Sequence, residues 1–327
     1  MAQPQFTDAN RAFLQAIMAR GTITFEESRP ILSAIYNADQ AEKDCRPEMI
    51  GETEFQNFID VASAASSMFD FEIRSTVHQV TKQRIYALVN TTSDPQTQLA
   101  TTYSPDELSF INRVLDTMFD KHNSPRQEVL AITEMQAIKV ARPDRRQSTQ
   151  VDPDTSSTQT PADKGLKHSE VETVLAGLVE AGWFERSRGS YYTLSPRALL
   201  ELRPWLIETY NDPDAAVDEW QRIKFCEACK DIVTIGLRCR EPECTFRIHD
   251  ICEDAFWRTR KDKKCPKCSN EWTGDKYVGE RAVRGSGGQR GGQSRGGASR
   301  RSTANEAIPE DSEEEDAEGS DENLYDA

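Results

Sequence analysis

The chain of 327 residues has room for two to three compact domains, yet only 37 % of it is hydrophobic, too little for a packed core throughout. The net charge of −15 is concentrated: from Ser302 onward there are eleven Asp or Glu and no Lys or Arg, leaving 44 of the 55 acidic residues against all 40 basic ones. No run of about 18 apolar residues exists, and Met1–Thr7 lacks the charged-then-apolar pattern of a signal peptide, so neither a membrane-spanning nor a secreted protein is expected.

The first domain is expected over residues 1–100. Phe13, Leu14, Ile17 and Met18 recur at helical spacing and Gly21 stops that helix; Thr22–Phe25 is a short β-prone run. Ile31, Leu32, Ile35 and Tyr36 mark a second helix, and Phe55, Phe58, Ile59, Ala62 and Ala65 a third. Phe71–Val80 and Ile85–Val89 pair as a hairpin across Thr81–Arg84.

The second domain, 101–212, repeats that order. Ser104-Pro105-Asp106-Glu107 is a capping box with proline at the first helical position, and Leu108, Ile111, Leu115, Met118 and Phe119 line one face of the helix it starts. Val129–Thr133 reads as a short strand and Glu134–Ala141 as a short helix. Val171, Val174, Leu175 and Leu178 mark the third helix, ended by Gly182. Trp183–Arg186 and Tyr191–Leu194 form a hairpin, and Ser195-Pro196 caps one further helix to about Tyr210. Helix, strand, helix, helix, hairpin is the winged-helix order, here in tandem. Residues 142–165 are Ser/Thr/Gln-rich and broken by prolines, with too little apolar surface to offset ordering, and are expected to be a disordered insertion. The same holds for the Arg/Gly and then acidic tail over 284–327.

Seven of the eight cysteines lie between Cys226 and Cys268. They run Cys226-x2-Cys229-x9-Cys239-x4-Cys244-x4-His249-x2-Cys252-x12-Cys265-x2-Cys268, eight soft or borderline ligands in a segment of 220–276. In a chain with no export signal this pattern points to metal rather than disulfides: two structural Zn2+ ions with no ligand to spare. His78, His122 and His168 have no ligand neighbours in sequence and read as ordinary side chains, and Cys45 as a free thiol.

Four cysteines, one histidine and three cysteines resemble the cross-braced RING and PHD families. By that resemblance Cys226, Cys229, His249 and Cys252 hold one ion and Cys239, Cys244, Cys265 and Cys268 the other. PHD fingers usually carry an aromatic two residues before the seventh ligand, where this chain has Lys263; RING domains often have proline directly after it, and Pro266 is there. Phe256 and Trp257 supply the aromatics of the helix that follows the sixth ligand. The RING resemblance implies docking of a ubiquitin-conjugating enzyme on Glu227, Ala228, Phe256, Trp257 and Pro266, with no catalytic residue of its own. Glu227-Ala228 replaces the usual bulky aliphatic and Ser269 the usual basic residue, which implies weak intrinsic activity or dependence on a helper.

Tandem winged helices before a RING of this ligand order, with Arg247-Ile248-His249, Cys265-Pro266-Lys267-Cys268 and the trailing Trp272, resemble the non-structural-maintenance-of-chromosomes element one family, the RING-bearing subunit of the SMC five-six complex. The resemblance covers Thr7 to Lys276. It fits an α+β protein of two winged helices and a small two-zinc domain; the 142–165 insertion and the disordered Arg/Gly and acidic tail are not features of the family core, and their roles stay open. The resemblance further implies a nuclear, chromatin-associated ubiquitin ligase subunit for DNA repair, partnered by a MAGE-family winged-helix subunit and a kleisin subunit, with DNA reached through the complex.

The charges bear on this independently. A DNA-reading third helix is basic, but Glu52, Glu54 and Asp60 mark the first and Glu170, Glu172 and Glu180 the second, against Lys167. Such faces repel phosphate and fit protein partners, which counts against a winged-helix transcription regulator. Arg186 and Arg188 on the second wing, and the stretch Arg258, Arg260, Lys261, Lys263, Lys264 and Lys267, are the candidates for phosphate contact. The Arg-Gly-Gly units at Arg290 and Arg295 read as a linker or a loose single-strand binder, and Ser312 before three glutamates as a phosphorylation candidate. The alternative to a ligase is a non-catalytic chromatin protein whose zinc domain is a structural or PHD-like docking module.

Overall fold

The computed structural model describes residues 6–39, 44–92, 99, 102–143, 163–216, 219–260 and 262–285. Helix α1 (Asp8–Arg20) starts at Thr7, whose hydroxyl accepts from the Asn10 N–H while the Asn10 side chain accepts from the Thr7 N–H; it ends at Gly21, φ 74°. Strand β1 (Thr22–Thr24), α2 (Phe25–Asp39), α3 (Glu52–Ser66), β2 (Phe71–Val77) and β3 (Arg84–Asn90) follow. The antiparallel sheet has the order β1-β3-β2, with Phe71 opposite Asn90 and Val77 opposite Arg84. The strand expected to reach Val80 stops at Val77, because His78 Nδ1 accepts the N–H groups of both Val80 and Thr81 and folds that segment into the turn. Phe13, Ile17, Leu32, Phe55, Phe58 and Tyr86 fill the core, the Phe55 and Tyr86 rings 5.0 Å apart and nearly perpendicular.

In the second winged helix α4 (Pro105–Asp116) has the capping box at Ser104 and runs into a wider π turn ending at Lys121. Phe110, Ile111, Val114, Leu115, Met118 and Phe119 are buried, a broader face than the periodicity indicates, with Leu108 only half-buried. A two-residue hairpin, β4 (Asn123–Ser124) and β5 (Gln127–Glu128), precedes β6 (Ile132–Thr133). The strand expected over Val129–Thr133 is thus shorter, since Leu130 sits at φ 50° and interrupts it. Helices α5 (Glu134–Lys139) and α6 (His168–Glu180) and strands β7 (Phe184–Arg186) and β8 (Tyr191–Leu194) complete the unit, with sheet order β6-β8-β7. The final helix is two, α7 (Pro196–Glu201) and α8 (Arg203–Tyr210): Pro204 has no N–H and its ring clashes with the Leu200 carbonyl, so the chain breaks at Leu202.

Of the insertion expected over 142–165, residues 144–162 lie outside the described residues. Its ends are tied together: Leu166 N–H donates to the Ala141 carbonyl at 2.9 Å, and Arg113 donates to the Val140 and Ala141 carbonyls and pairs with Asp163. Past the second winged helix come β9 (Gly236–Arg238), β10 (Arg247–Ile248), α9 (Asp250–Arg258), β11 (Tyr277–Val278) and α10 (Arg281–Gly285). Helix α10 runs over the boundary expected at 284; the tail beyond 285, with Arg290, Arg295 and Ser312, lies outside the described residues.

Strands β9, β10 and β11 join the β4–β5 hairpin in one sheet of order β10-β9-β11-β5-β4, in which β11 runs parallel to β5. The second winged helix and the cysteine-rich segment accordingly share one apolar core, from Phe110 and Leu115 through Leu206 and Ile223 to Phe246 and Trp272, separate from that of the first winged helix. Among the described residues no helix is long and apolar enough to cross a membrane.

Candidate metal centre

Two tight loops present two of the three x2 pairs, and the start of α9 presents the third. In the first, Cys226 N–H donates to the Asp231 carbonyl at 2.8 Å and Lys230 N–H to the Cys226 carbonyl at 2.9 Å, with Lys230 at φ 65°. The second repeats this bond for bond: Cys265 N–H to Asn270, Ser269 N–H to Cys265, with Ser269 at φ 60°. A left-handed residue four positions after the first cysteine turns each chain so that both thiols face one point. His249 is the N-cap of α9, and Cys252 lies in its first turn.

The structure gathers the eight residues into two sets of four: Cys226, Cys229, His249 and Cys252, and Cys239, Cys244, Cys265 and Cys268, with ligand atoms in each set within 4.8 Å of one another. Cys239 and Cys268 sulfurs are 3.5 Å apart, Cys244 and Cys265 sulfurs 3.6 Å, and Cys229 sulfur is 3.2 Å from His249 Nδ1. Four ligands at Zn–S distances around one tetrahedral centre sit about 3.8 Å apart, so the donor set and its spacing fit zinc. The crowded thiols share protons unevenly: a hydrogen bond from Cys229, outweighing burial, lowers the pKa of Cys226, while burial raises that of Cys239. His249 presents Nδ1 to its cluster and donates Nε2–H to the Ile232 carbonyl at 3.2 Å, which fixes the tautomer a metal needs.

The residues expected to meet a conjugating enzyme divide. Ala228 and Pro266 are exposed and Phe256 is half-buried, with the Arg260 guanidinium 4.2 Å above its ring. Glu227 pairs with Lys230 of its own loop at 2.9 Å and bridges to the second loop through Lys267 at 3.3 Å. Trp257 is a correction: only 8 % exposed, it packs on Trp272, 5.4 Å between ring centres, and Phe246, and belongs to the core. Arg258, Arg260, Lys263, Lys264 and Lys267 are exposed; Lys261 lies outside the described residues. On the second wing Arg188 is exposed, while Arg186 lies over the Tyr192 ring and 3.8 Å from Glu134. His122 Nδ1 meets the Ala131 carbonyl, His168 pairs with Glu172, and Cys45 remains a thiol.

Sequence reasoning missed Glu128. This β5 carboxylate is 1 % exposed and receives Arg247 (0 % exposed) through both Nε, at 2.7 Å, and Nη2; Lys224 stands at 3.2 Å, Arg238 at 3.4 Å, and Trp220 Nε1 donates at 3.1 Å. Burial alone would raise its pKa, but these cations hold it at about 2. Burial in turn pulls Lys224 down to about 7, against the attraction of Glu128. An acid between Gln127 and Val129 carries no local signal that three cations from the cysteine-rich segment converge on it.

The model of the family described as "Nse1 non-SMC component of SMC5-6 complex" matches residues 10–202, more than half of the chain. The chain belongs to this Nse1 family. A RING-like domain model matches residues 226–268, the span of the eight ligands. Proteins called non-structural maintenance of chromosomes element 1 homolog from Rattus norvegicus and Homo sapiens are each 23 % identical, over 82 % and 81 % of this chain and 85 % and 84 % of theirs. The Schizosaccharomyces pombe protein is 22 % identical over 85 % of this chain and 97 % of its own. One chain of a solved Nse1-Nse3-Nse4 complex shares the fold, with a TM-score of 0.61 at 20 % identity over 83 % of this chain and 98 % of that one.

Proposed function

We propose that this Nse1-family chain is the RING-type ubiquitin ligase subunit of a nuclear, chromatin-bound SMC five-six complex acting in chromosome maintenance and DNA repair. The observation that carries the ligase reading is the interleaving of the eight ligands, first pair with third and second with fourth. With two zinc ions in these sites the loops become rigid, and we take Ala228 and Pro266, exposed one on each loop, and the half-buried Phe256 ring as one docking surface. Such a surface supplies orientation rather than bond-making: a conjugating enzyme docked there has its ubiquitin thioester held in a reactive pose.

The winged helices are the docking platform for a MAGE-family subunit (Nse3) and a kleisin (Nse4), a reading supported by the solved Nse1-Nse3-Nse4 relative. It is also supported by Met18, Met49, Met68 and Phe69, large apolar side chains exposed on the first winged helix. DNA is reached through the complex, with Arg188 and the basic stretch from Arg258 as its candidate contacts here.

A specific observation favours the alternative of a zinc domain used for docking alone: Glu227 is closed into two ion pairs where a ligase offers an aliphatic contact. The test mixes the chain, with and without a MAGE partner, with activating enzyme, a panel of conjugating enzymes and ubiquitin. The ligase reading expects chain formation, weakened by Pro266→Ala and raised by Glu227→Ile, since burying such a side chain contributes about 1.5–3 kcal/mol. Zinc content stays at two per chain in both variants. Folded variants with no rate change under any condition would leave the docking module as the answer.

A further inference from the structure

The wing of the first winged helix reaches into the surroundings of the first metal cluster. Its turn carries Gln79, whose side-chain amide is engaged at both its nitrogen and its oxygen by one stretch of the cysteine-rich segment. Nε2 donates to the Ile232 carbonyl at 3.0 Å; Oε1 accepts from the N–H of Thr234 at 3.1 Å, the N–H of Ile235 at 2.8 Å and the Thr234 hydroxyl at 3.3 Å. The Ile232 carbonyl is the acceptor for His249 Nε2–H, so one oxygen receives a proton donor from a metal-ligating histidine and another from a residue 153 positions upstream. The turn itself is stiffened: His78 Nδ1 accepts two backbone N–H groups, and His78 Nε2 lies 3.3 Å from Glu185 of the second wing. A second wing contact, Thr76 Oγ1 to Asp231 at 3.2 Å, does not touch Ile232.

We infer that Gln79 is a positioning residue for the first metal site, holding the Ile232 carbonyl in the place that orients the His249 ring. The role rests on the reading that the cluster of Cys226, Cys229, His249 and Cys252 binds zinc. A carbonyl fixed by a second donor holds the imidazole plane more firmly than a free loop carbonyl does, and loss of such outer partners costs typically about 10–100-fold in metal affinity. The site thereby depends on the first winged helix, although that domain contributes no ligand.

The experiment uses the full chain loaded with zinc, and in parallel with cobalt. The two sites are distinguishable because three thiolates with one imidazole absorb differently from four thiolates. Gln79→Ala is expected to speed metal release to a chromogenic chelator from the histidine-containing site by about 10–100-fold, leaving the all-cysteine site at its wild-type rate. Gln79→Glu, which keeps the acceptor but cannot donate to Ile232, is expected to weaken the same site. Thr76→Val, which removes a wing contact without touching Ile232, is expected to release both metals as wild type does. Release from both sites unchanged in Gln79→Ala and Gln79→Glu, or accelerated equally at both sites, would overturn the assignment, as would Thr76→Val matching Gln79→Ala. A wild-type chain that binds no metal fails the zinc reading itself, which is a separate result.

Discussion

The first winged helix closes its own core around Phe13, Phe55 and Tyr86, separate from the core of the rest of the described chain, which it meets through contacts that include Gln79 to Thr234 and Asn90 to Glu201. The second winged helix, of the same element order, does not stand alone. Its hairpin β4–β5 is an edge of the sheet that carries β9 and β10, and its apolar residues run without a break into those around the cysteine clusters. Two copies of one motif have therefore been put to different uses, one as a self-sufficient body and one as half of a larger unit. A cysteine-rich domain built this way is an outgrowth of the winged helix, not a bead on a linker.

The largest expected effect breaks the fused unit. Cys229→Ser or His249→Ala opens one cluster, and structural zinc supplies about 10–16 kcal/mol of apparent binding energy to small domains. Elemental analysis should show loss of bound zinc, and hydrogen exchange should show lost protection in β9–β11 and β5, with α1–α3 still protected. Retention of two zincs per chain in either variant would contradict the ligand assignment.

Next, Phe55→Ala should cost about 3–5 kcal/mol and act on the other body alone. Its signature is an earlier unfolding transition for the first winged helix with unchanged zinc content. Glu128→Gln, of similar size, attacks the shared sheet, because it leaves Arg247 buried beside a neutral partner (about 3–5 kcal/mol). The sign with pH is fixed: Glu128 titrates at about 2 instead of 4.5, so its contribution is present above 4.5 and fades as pH falls toward 2. The gap in stability between wild type and Glu128→Gln should narrow over that window; a constant gap would mean that the carboxylate charge is not what holds the two halves together. The smallest effect sharpens the comparison. Ser104→Ala removes the cap of α4 and should cost about 0.5–2 kcal/mol, lowering the melting of the fused unit but not that of the first winged helix.

Much of this was readable from residues. Apolar spacing located the helices, Ser104 and Gly182 marked ends that the structure keeps, and the three x2 pairs with the x4 pair between them named all eight residues of the two clusters. What stayed hidden has one physical cause: the sheet that fuses the halves is made of strands of two or three residues, too short for an alternating pattern to register. Glu128 and Gln79 are invisible for the same reason, since each gains its meaning from groups about a hundred or more positions away. Trp257 stays open in the sequence because an aromatic on a short helix serves a core or a contact face equally well until the position of Trp272 is known.

The return of β11 to β5 also sets how the molecule bears load. Val278 lies opposite Glu128, and Gly279 N–H donates to the Glu128 carbonyl at 2.9 Å. Just beyond, Gln127 donates to the Ala282 carbonyl and Arg281 pairs with Asp250. Tension applied to the chain after Gly285 thus meets β11 before it reaches Cys268, and β11 is held on one side by β5 of the winged helix and on the other by β9, which leads into Cys239. A pull on this end is therefore divided between the winged helix and the cysteine loops instead of falling on the loops alone.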